Sequence, residues 1–288
     1  MKIVTDSGTN VYLSPDQLRE FGIQVVPLSV ALEGKTYREG LDVKDDDFYN
    51  MLESSEALPT TSQPSAGDFA TLYRELAKTD PEILSIHMSS GLSGTINSAR
   101  AAAAMVPEAH VTVVDTKTLG VPAGWQVEAA ARALKAGWPL QQVLDYVERI
   151  SAATNVVYTL KELKYLIHGG RISHMKGLIA SLLNIKPLIG VEKVGGTYVQ
   201  RGQARSFERA IENIGEYISR EMKKGTLLRV QVVHAQNQEG AEKLRAEILK
   251  RFQCVMLPIE RLSLVLGAHV GKSMIGVAFA PEEVFELK

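Results

Sequence analysis

The chain has 288 residues, of which 45% are hydrophobic and 23% charged, and its 32 lysines and arginines nearly balance its 33 aspartates and glutamates. This composition predicts a folded protein with room for two domains and excludes global disorder. A net charge of −1 provides no overall field for nucleic acid or an anionic membrane surface, and the single cysteine excludes an intrachain disulfide framework.

Targeting and metal-binding patterns are absent from the sequence. The apolar stretch of the opening residues, MKIVTDSGTN, is too short for a signal peptide, and no run of about eighteen apolar residues predicts a membrane-spanning helix. We therefore expect a cytoplasmic protein. The six histidines do not follow the H-E-x-x-H or H-x-x-x-H spacing of metal sites, so we expect neither a metal nor another cofactor.

The first half of the chain alternates strand-like and helix-like segments. Strands that alternate with helical crossovers are typical of a parallel sheet covered by helices, so we predict an α/β layer domain over residues 1–155. The predicted strands are 2–7, 82–90 and 110–116, the predicted helices are 64–79, 95–106, 124–137 and 140–153, and the segments 23–32 and 35–40 are compatible with a hairpin.

The second half, residues 156–288, shows a different pattern and is predicted to form an α+β domain with a mixed or antiparallel sheet. Gly195 and Gly196 predict a hairpin turn, because both positions tolerate positive φ. An almost wholly apolar segment is predicted to form a helix that ends at Pro187. The predicted strands are 155–160, 188–194, 197–202, 227–235 and 273–280, and the predicted helices are 160–169, 178–187 and 239–252.

The segment TTSQPSAGDF, residues 60–69, contains a cluster of hydroxyl side chains. Ser65 followed by Asp68 fits a capping box, which predicts that a helix starts at Ala66. A capped loop explains these two residues but not Thr61 and its two polar successors. The run beginning at Thr61 is therefore either an ordinary loop or a binding segment.

The segment SSGLSGT, residues 89–95, has five small residues between Ser89 and Gly94 and joins a predicted strand to a predicted helix. The free N–H groups of that helix would face the carboxyl edge of the sheet, which favours an anion such as a phosphate, a carboxylate or a nucleotide. The alternative is a glycine-eased tight turn with Ser93 as the N-cap. A nucleophilic Ser93 is a further alternative, although the final glycine of a G-x-S-x-G elbow is missing.

Two further segments carry candidate ligand groups. The segment GAHVGKSMIG, residues 267–276, is not a P-loop, because Leu266 stands where the first glycine belongs and a strand is predicted to follow. His269 within it is either a satisfied loop residue or a ligand donor. In HGGRIS, residues 168–173, two glycines are predicted to end a helix and to leave Arg171 projecting, either as a solvated side chain or as a contact for an anion.

Taken in order, these motifs resemble those of the DegV family of bacterial fatty-acid-binding proteins. The chain is similar to the family in TDSGTN, TTSQPS, SSGLSGT, HGGRIS, the apolar segment through NIKP and the late GAHVG, from about residue 2 to residue 280. The late histidine is followed by GKS where the family often carries G-P-G. A glycine, Gly8, stands where a hydroxyl residue is common.

The resemblance implies that one long-chain fatty acid, such as palmitate, lies between the two domains. It implies that Thr61 and Ser93 hold the carboxylate, that His269 completes their network, and that the tail occupies an apolar tunnel. It also implies that Arg171 serves a separate ATP-dependent fatty acid kinase subunit, which forms the acyl phosphate for phospholipid synthesis. Residues 177–185 are the candidate tunnel wall, with ordinary core as the alternative.

The residues leave one other function open. In place of a carrier, the protein could be a stand-alone enzyme, either a phosphotransferase or a Ser93 hydrolase of a small anionic substrate. Such an enzyme needs a general base within hydrogen-bond reach of Ser93. A dinucleotide-binding module is excluded, because no G-x-G-x-x-G follows the first strand.

Overall fold

The computed structural model describes residues 1–172 and 185–287, which form fourteen strands and ten α-helices. The strands are β1 (Lys2–Asp6), β2 (Ile23–Val26), β3 (Ser29–Leu32), β4 (Lys35–Arg38), β5 (Thr60–Ser62), β6 (Glu82–His87), β7 (His110–Asp115), β8 (Asn155–Thr159), β9 (Lys186–Val191), β10 (Tyr198–Ala204), β11 (Leu228–His234), β12 (Cys254–Met256), β13 (Glu260–Arg261) and β14 (Ile275–Pro281). The helices are α1 (Pro15–Glu20), α2 (Asp45–Ser54), α3 (Ala66–Ala77), α4 (Thr95–Ala104), α5 (Val121–Lys135), α6 (Leu140–Ala153), α7 (Lys164–His168), α8 (Phe207–Glu221), α9 (Gln238–Arg251) and α10 (Leu264–Val270).

The first half of the chain contains a four-stranded parallel sheet in the order β2-β1-β6-β7. Successive strand residues point to opposite faces, so Ile3 packs with α5 and α6, whereas its neighbour Val4 packs with α3 and α4. Both faces are therefore covered by helices, and strands buried on two sides read as apolar runs. The α/β layer architecture predicted from the alternation of elements is confirmed.

A three-stranded antiparallel sheet, in the order β4-β3-β5, lies beside this layer. The segment 23–32, taken in the sequence as one arm of a hairpin, is divided between two sheets. Its first part forms β2 in the parallel sheet, and only its second part, β3, forms the hairpin with β4. Pro27 separates the two parts, and proline cannot donate a ladder hydrogen bond.

The second half contains a seven-stranded mixed sheet in the order β10-β9-β8-β14-β11-β12, with β13 also paired to β11. Helices α8 and α9 cover one face with an apolar cluster of their own. The opposite face contributes Tyr158 and Val233 to the largest apolar cluster, which also includes α10 and residues of the first half such as Trp125. The predicted α+β arrangement is confirmed, whereas the domain bounds 1–155 and 156–288 stay a prediction.

Several details differ from the sequence prediction. Helix α7 is shorter than the predicted segment 160–169, and Pro187 lies in β9, where it follows the strand's first residue. Most of the predicted apolar helix 178–187 lies outside the described residues. The GAHV part of GAHVG, expected to be a loop, forms the end of α10.

A buried polar chain connects the carboxyl ends of β1 and β6. Asp6 Oδ2 lies 2.9 Å from His87 Nδ1, and His87 Nε2 lies 2.7 Å from Ser85 Oγ, which is itself 2.7 Å from the Tyr73 hydroxyl. Asp6 also accepts hydrogen bonds from the backbone N–H groups of Gly8 and the residue after His87. Because the four side chains are fully buried, this chain holds the two strand ends together.

Candidate functional site

Thr61 and His269, 208 residues apart in sequence, form a hydrogen bond of 2.7 Å between Thr61 Oγ1 and His269 Nε2. Thr61 lies on β5, opposite Val30 of β3. His269 lies in the last turn of α10, whose seven residues are all buried and whose first turn is capped by the Ser263 hydroxyl. The structure thus brings together two of the residues selected from the sequence.

Ser93 lies in the turn between β6 and α4. Helix α4 begins at Thr95, as predicted. Its N-cap is Gly94 and not Ser93, so the helix has no side-chain cap hydrogen bond. The Ser93 hydroxyl is 2.9 Å from Thr95 Oγ1, and it accepts a hydrogen bond from the Thr95 backbone N–H at 3.3 Å. The hydroxyl therefore lies at the N-terminal end of α4.

Close packing explains two of the small residues in this turn. A Cβ atom on Gly91 would lie 2.3 Å from the carbonyl oxygen of Gly195, in the turn between β9 and β10. A Cβ atom on Gly94 would lie 2.6 Å from Nε2 of Gln63. Such separations are shorter than van der Waals contact, so only glycine allows the turn to pack against Gln63, which directly follows β5, and against the β9–β10 turn.

Arg171 follows α7 and is partly buried, with Nη1 donating to the carbonyl oxygen of Gly169. The sequence placed Arg171 apart from the two hydroxyl clusters, but the structure brings it into the wall of the same cavity as Thr61, Ser93 and His269. The two motifs also touch directly, since a Cβ atom on Gly169 would lie 2.3 Å from His269 Nδ1. Glycine at this position leaves room for the imidazole ring.

The imidazole of His269 is neutral at pH 7. Burial, the larger effect, together with the nearby positive charge of Arg171, lowers its pKa to about 4. A neutral imidazole has one N–H donor and one acceptor nitrogen. The Thr61 hydroxyl and His269 can therefore exchange donor and acceptor roles without adding a charge to the site.

The four side chains line part of a small cavity of about 30 Å³, whose wall also includes apolar residues such as Leu28 and Met88; we call it the polar cavity after the four polar side chains. An apolar cavity of about 40 Å³ adjoins it, and Leu119, Tyr198 and Leu266 line both. The remaining wall of the apolar cavity is formed by Gly120, Val121, Pro122, Val156, Tyr158, Val233, Leu262, Val270, Met274 and Ala278. A site with hydroxyls, a neutral imidazole and a guanidinium at one end, and hydrocarbon at the other, suits an amphipathic anion.

The shared wall residues were not selected from the sequence. Leu119 lies outside the predicted elements, and Leu266 was considered only as the residue that breaks the P-loop pattern. Tyr198 follows the Gly195–Gly196 turn in β10, where it reads as an ordinary strand residue. Burial raises the pKa of Tyr198 to about 12, although its contacts with Tyr158 and the charge of Arg171 oppose the rise.

Two larger clefts occur elsewhere among the described residues, with volumes of about 460 and 1060 Å³. Each cleft contains charged side chains that are paired with each other, Arg132 with Glu128 in the first and Lys272 with Glu53 in the second. The residues predicted to bind an anion lie in neither. We therefore assign the candidate site to the small polar cavity.

The structure also bears on the enzyme alternative. The hydrogen bonds of the Ser93 hydroxyl go to Thr95, and His269 is bonded to Thr61. The strand β14 follows Gly271-Lys272-Ser273, so this segment lacks the helix that a P-loop requires. Within residues 1–172 and 185–287, no group of three or more histidine, cysteine, aspartate or glutamate side chains is arranged to hold a metal, and no helix could cross a membrane.

Comparison with known proteins supports a relationship over nearly the whole chain. The DegV family model matches residues 1–282. A DegV domain-containing protein of Halalkalibacterium halodurans is 35% identical over 282 residues, which cover 98% of both chains. Protein DegV of Bacillus subtilis is 31% identical over 278 residues, which cover 96% of this chain and 98% of that protein.

Solved structures show the same fold. A DegV family protein from Thermus thermophilus, described with fatty acid binding, has a TM-score of 0.88 at 31% identity and covers 97% of this chain and 99% of its own. The structure of DegV from Bacillus subtilis, described as a fatty acid binding protein, has a TM-score of 0.86 at 29% identity, with 98% and 99% coverage. The sequence motifs, the fold and these relatives agree, and the chain belongs to the DegV family.

Proposed function

We propose that this protein binds a long-chain fatty acid, with the carboxylate in the polar cavity and the tail in the apolar cavity. The observation that carries the proposal is the junction of the two cavities. Thr61, Ser93, Arg171 and His269 converge on one side of it, and the wall beyond is hydrocarbon. The solved relatives from Thermus thermophilus and Bacillus subtilis, described as binding fatty acids, support the same ligand class.

The hydrogen-bonding roles at the carboxylate follow from donor and acceptor chemistry. A carboxylate only accepts hydrogen bonds, so Thr61 must direct its O–H toward the ligand. Its oxygen then accepts the Nε2–H of His269, which fixes the tautomer of the neutral imidazole. Ser93 supplies a second hydroxyl at the start of α4, and the guanidinium charge of Arg171 compensates the charge of the ligand.

The tail supplies most of the affinity. Burying one methylene contributes about 0.8 kcal/mol, so a tail of about sixteen carbons outweighs the head-group contacts. An apolar cavity of about 40 Å³ is too small for such a tail, so its lining side chains must move apart on binding. The predicted tunnel wall 177–185 lies outside the described residues except for Ile185, which packs against the core cluster that lines the cavity.

We further propose that the bound acid is presented to a separate ATP-dependent kinase, which forms the acyl phosphate used in phospholipid synthesis. This step rests on the family resemblance and on the position of Arg171. Its guanidinium lies at the polar cavity and is only partly buried. A planar cation there suits both the carboxylate of the ligand and the phosphoryl group transferred to it.

Calorimetry on delipidated protein tests the binding proposal. Thr61→Val and Ser93→Ala should each weaken palmitate binding by about 1.5–3 kcal/mol, the value of a hydrogen bond to a charged group, and should affect hexadecanol much less. Thr60→Val and Ser90→Ala are matched controls, since both residues are exposed neighbours on the same segments. No binding of any long-chain acid by the unaltered protein would refute the proposal, as would equal losses for acid and alcohol.

The kinase step is tested separately with Arg171→Ala. We expect palmitate affinity to fall by a few-fold through the lost charge, and acyl phosphate formation by a cognate kinase to fall much further. Native mass spectrometry confirms that the variant still carries ligand. Formation of acyl phosphate from ATP without a kinase would contradict the carrier proposal and favour the enzyme alternative.

A further inference from the structure

Glu39 connects the two elements that carry Thr61 and His269. It directly follows β4, and its backbone N–H donates to the carbonyl oxygen of Leu28, the residue before β3. Strand β3 in turn pairs with β5, opposite Thr61. At its other end, the Glu39 carboxylate accepts through Oε1 a hydrogen bond from the backbone N–H of Leu264, the first residue of α10.

The carboxylate is buried, and its second oxygen, Oε2, has no hydrogen-bond partner of normal geometry among the described residues. Burial raises the pKa of Glu39 to about 7, although the Ser7 hydroxyl and the N–H of Leu264 lower it. Both protonation states are therefore populated near neutral pH. Tyr12 and Tyr49 are close enough to interact with the charge of Glu39, and those two tyrosines also interact with the charges of Asp45, Glu260 and Arg261.

We propose that Glu39 is a positioning residue for the polar cavity, which holds the Thr61 sheet against the His269 helix more firmly when its carboxylate is ionised. The inference rests on the proposed function, because Thr61 and His269 matter through the ligand they hold. An ionised carboxylate makes a stronger hydrogen bond to the Leu264 N–H and also interacts favourably with the helix dipole. Protonation weakens this connection and lets the 2.7 Å contact between Thr61 and His269 loosen.

The effect on global stability has the opposite sign. The pKa of Glu39 is raised above its ordinary value of about 4.5, so the folded state holds a proton at pH values where the unfolded chain has lost it. The stabilisation from this group is therefore fully present below a pH of about 4.5 and is lost as the pH rises from there through about 7. Ionised Glu39 thus organises the site at a cost to the stability of the fold, a trade-off common at functional positions.

Ligand binding gives the first test, with Glu39→Ala, Glu39→Gln and the control Glu33→Gln, which alters an exposed glutamate of the same hairpin. At pH 8, Glu39→Ala should bind palmitate about three- to tenfold more weakly, the loss expected for one hydrogen bond, and hexadecanol should change less. Glu39→Gln keeps a neutral oxygen acceptor for the Leu264 N–H, so it should bind palmitate about as well as the unaltered protein does at pH 6, more tightly than Glu39→Ala, and should lack the pH dependence that the unaltered protein shows between pH 6 and 8. A Glu39→Gln profile that parallels that of the unaltered protein would overturn the inference.

Hydrogen exchange on ligand-free protein gives the second test, which does not depend on fatty acid binding. The amides of residues 264–270 should exchange faster in Glu39→Ala than in the unaltered protein at pH 8, and the difference should shrink toward pH 6. Glu33→Gln should leave exchange unchanged. If no variant binds palmitate but the exchange pattern appears, the proposed function fails and the Glu39 connection stands; equal exchange in all variants would refute the connection.

Discussion

His87 and His269 both hydrogen-bond to hydroxyl groups, but His87 lies in the core and His269 lies at a cavity. His87 is fully buried, with Nδ1 at 2.9 Å from Asp6 and Nε2 at 2.7 Å from Ser85. His269 lies at the wall of the polar cavity, with Nε2 at 2.7 Å from Thr61 and Nδ1 against Gly169. One ring is bonded at both nitrogens inside the fold, whereas the other has one bonded nitrogen and borders a cavity.

The comparison of His87 with His269 shows that a chain of hydrogen bonds from aspartate through histidine to serine is not by itself an active site. Asp6, His87 and Ser85 have the chemistry of a catalytic triad, but all three are sealed from solvent, so a substrate cannot reach them. Among residues 1–172 and 185–287, no carboxylate is hydrogen-bonded to the pair at the cavity. The proposed fatty acid would supply that carboxylate, so the pair at the cavity suits binding and the fully buried chain suits structure.

Removing the carboxylate of the buried chain should have the largest effect. Asp6→Ala leaves the N–H groups of Gly8 and Met88 and the ring of His87 without their shared acceptor, and we expect the free energy of unfolding to fall by about 3–5 kcal/mol. Urea denaturation measures this loss. Asp16→Ala, which breaks an exposed ion pair with Arg19, is the control and should cost little. Equal losses in the two variants would contradict the structural role of Asp6.

Lowering the pH should reduce the free energy of unfolding, because His269 is buried in its neutral form. The pKa of His269 is lowered to about 4, so the unfolded chain takes up a proton below its ordinary pKa of about 6.5 while the folded protein does not. Stability is therefore lost as the pH falls from 6.5 toward 4, by about 2–3 kcal/mol from this group. Urea denaturation of the unaltered protein and of His269→Gln should show a smaller loss in the variant. Parallel curves would place His269 in a more solvated setting.

If Thr61 and His269 act together on the ligand, the effects of their substitutions on palmitate binding should not be additive. His269→Ala and Thr61→Val act on one hydrogen bond, so the double variant should bind palmitate more tightly than the sum of the two single losses predicts, by about 1 kcal/mol. Calorimetry on the four proteins completes the cycle. Strictly additive losses would show that the two residues act independently on the ligand.

Substitution of Gly169, which packs against the His269 imidazole, should have the smallest effect on palmitate binding. Gly169→Ala puts a methyl group where His269 Nδ1 lies and should displace the imidazole, weakening palmitate binding by about threefold. Gly67→Ala is the matched control, because its new Cβ meets only the Ser65 hydroxyl, at 3.5 Å. If Gly169→Ala binds as well as Gly67→Ala, the ring adjusts without affecting the site.

Local patterns predicted much of the fold. Alternating apolar segments located β1, β6, β7 and β8, and the Ser65–Asp68 capping box located the start of α3 correctly. Helix α8 was omitted although Ile211, Ile214 and Ile218 lie at helical spacing and are buried, so its signal was present in the sequence. Helix α10 offered no such signal, because its seven residues are buried on every side and include a glycine.

The sequence predicted the individual residues of the candidate site, but it did not predict that they would all lie around one cavity. Thr61, Ser93, Arg171 and His269 each stood out by their local motif, and the structure places all four around one cavity. The approach of Arg171 to His269 depends on the packing of Gly169 against the imidazole ring, which no local pattern records. Glu39 was overlooked for the same reason, since a glutamate after a strand looks solvated until α10 packs over it.

The contact between Gly91 and the Gly195–Gly196 turn has a consequence for how the site is made. The Ser89 hydroxyl donates to the carbonyl oxygen of Gly196 at 2.8 Å, across 107 residues of chain. The loop that ends at Ser93 thus completes its surroundings only after the β9–β10 hairpin has been synthesised and has folded. Contacts so distant in sequence form late and slowly. On the ribosome, the first half of the chain therefore emerges before the Ser89–Ser93 loop has its partner, and the site proposed for the carboxylate is complete only once the second half has folded.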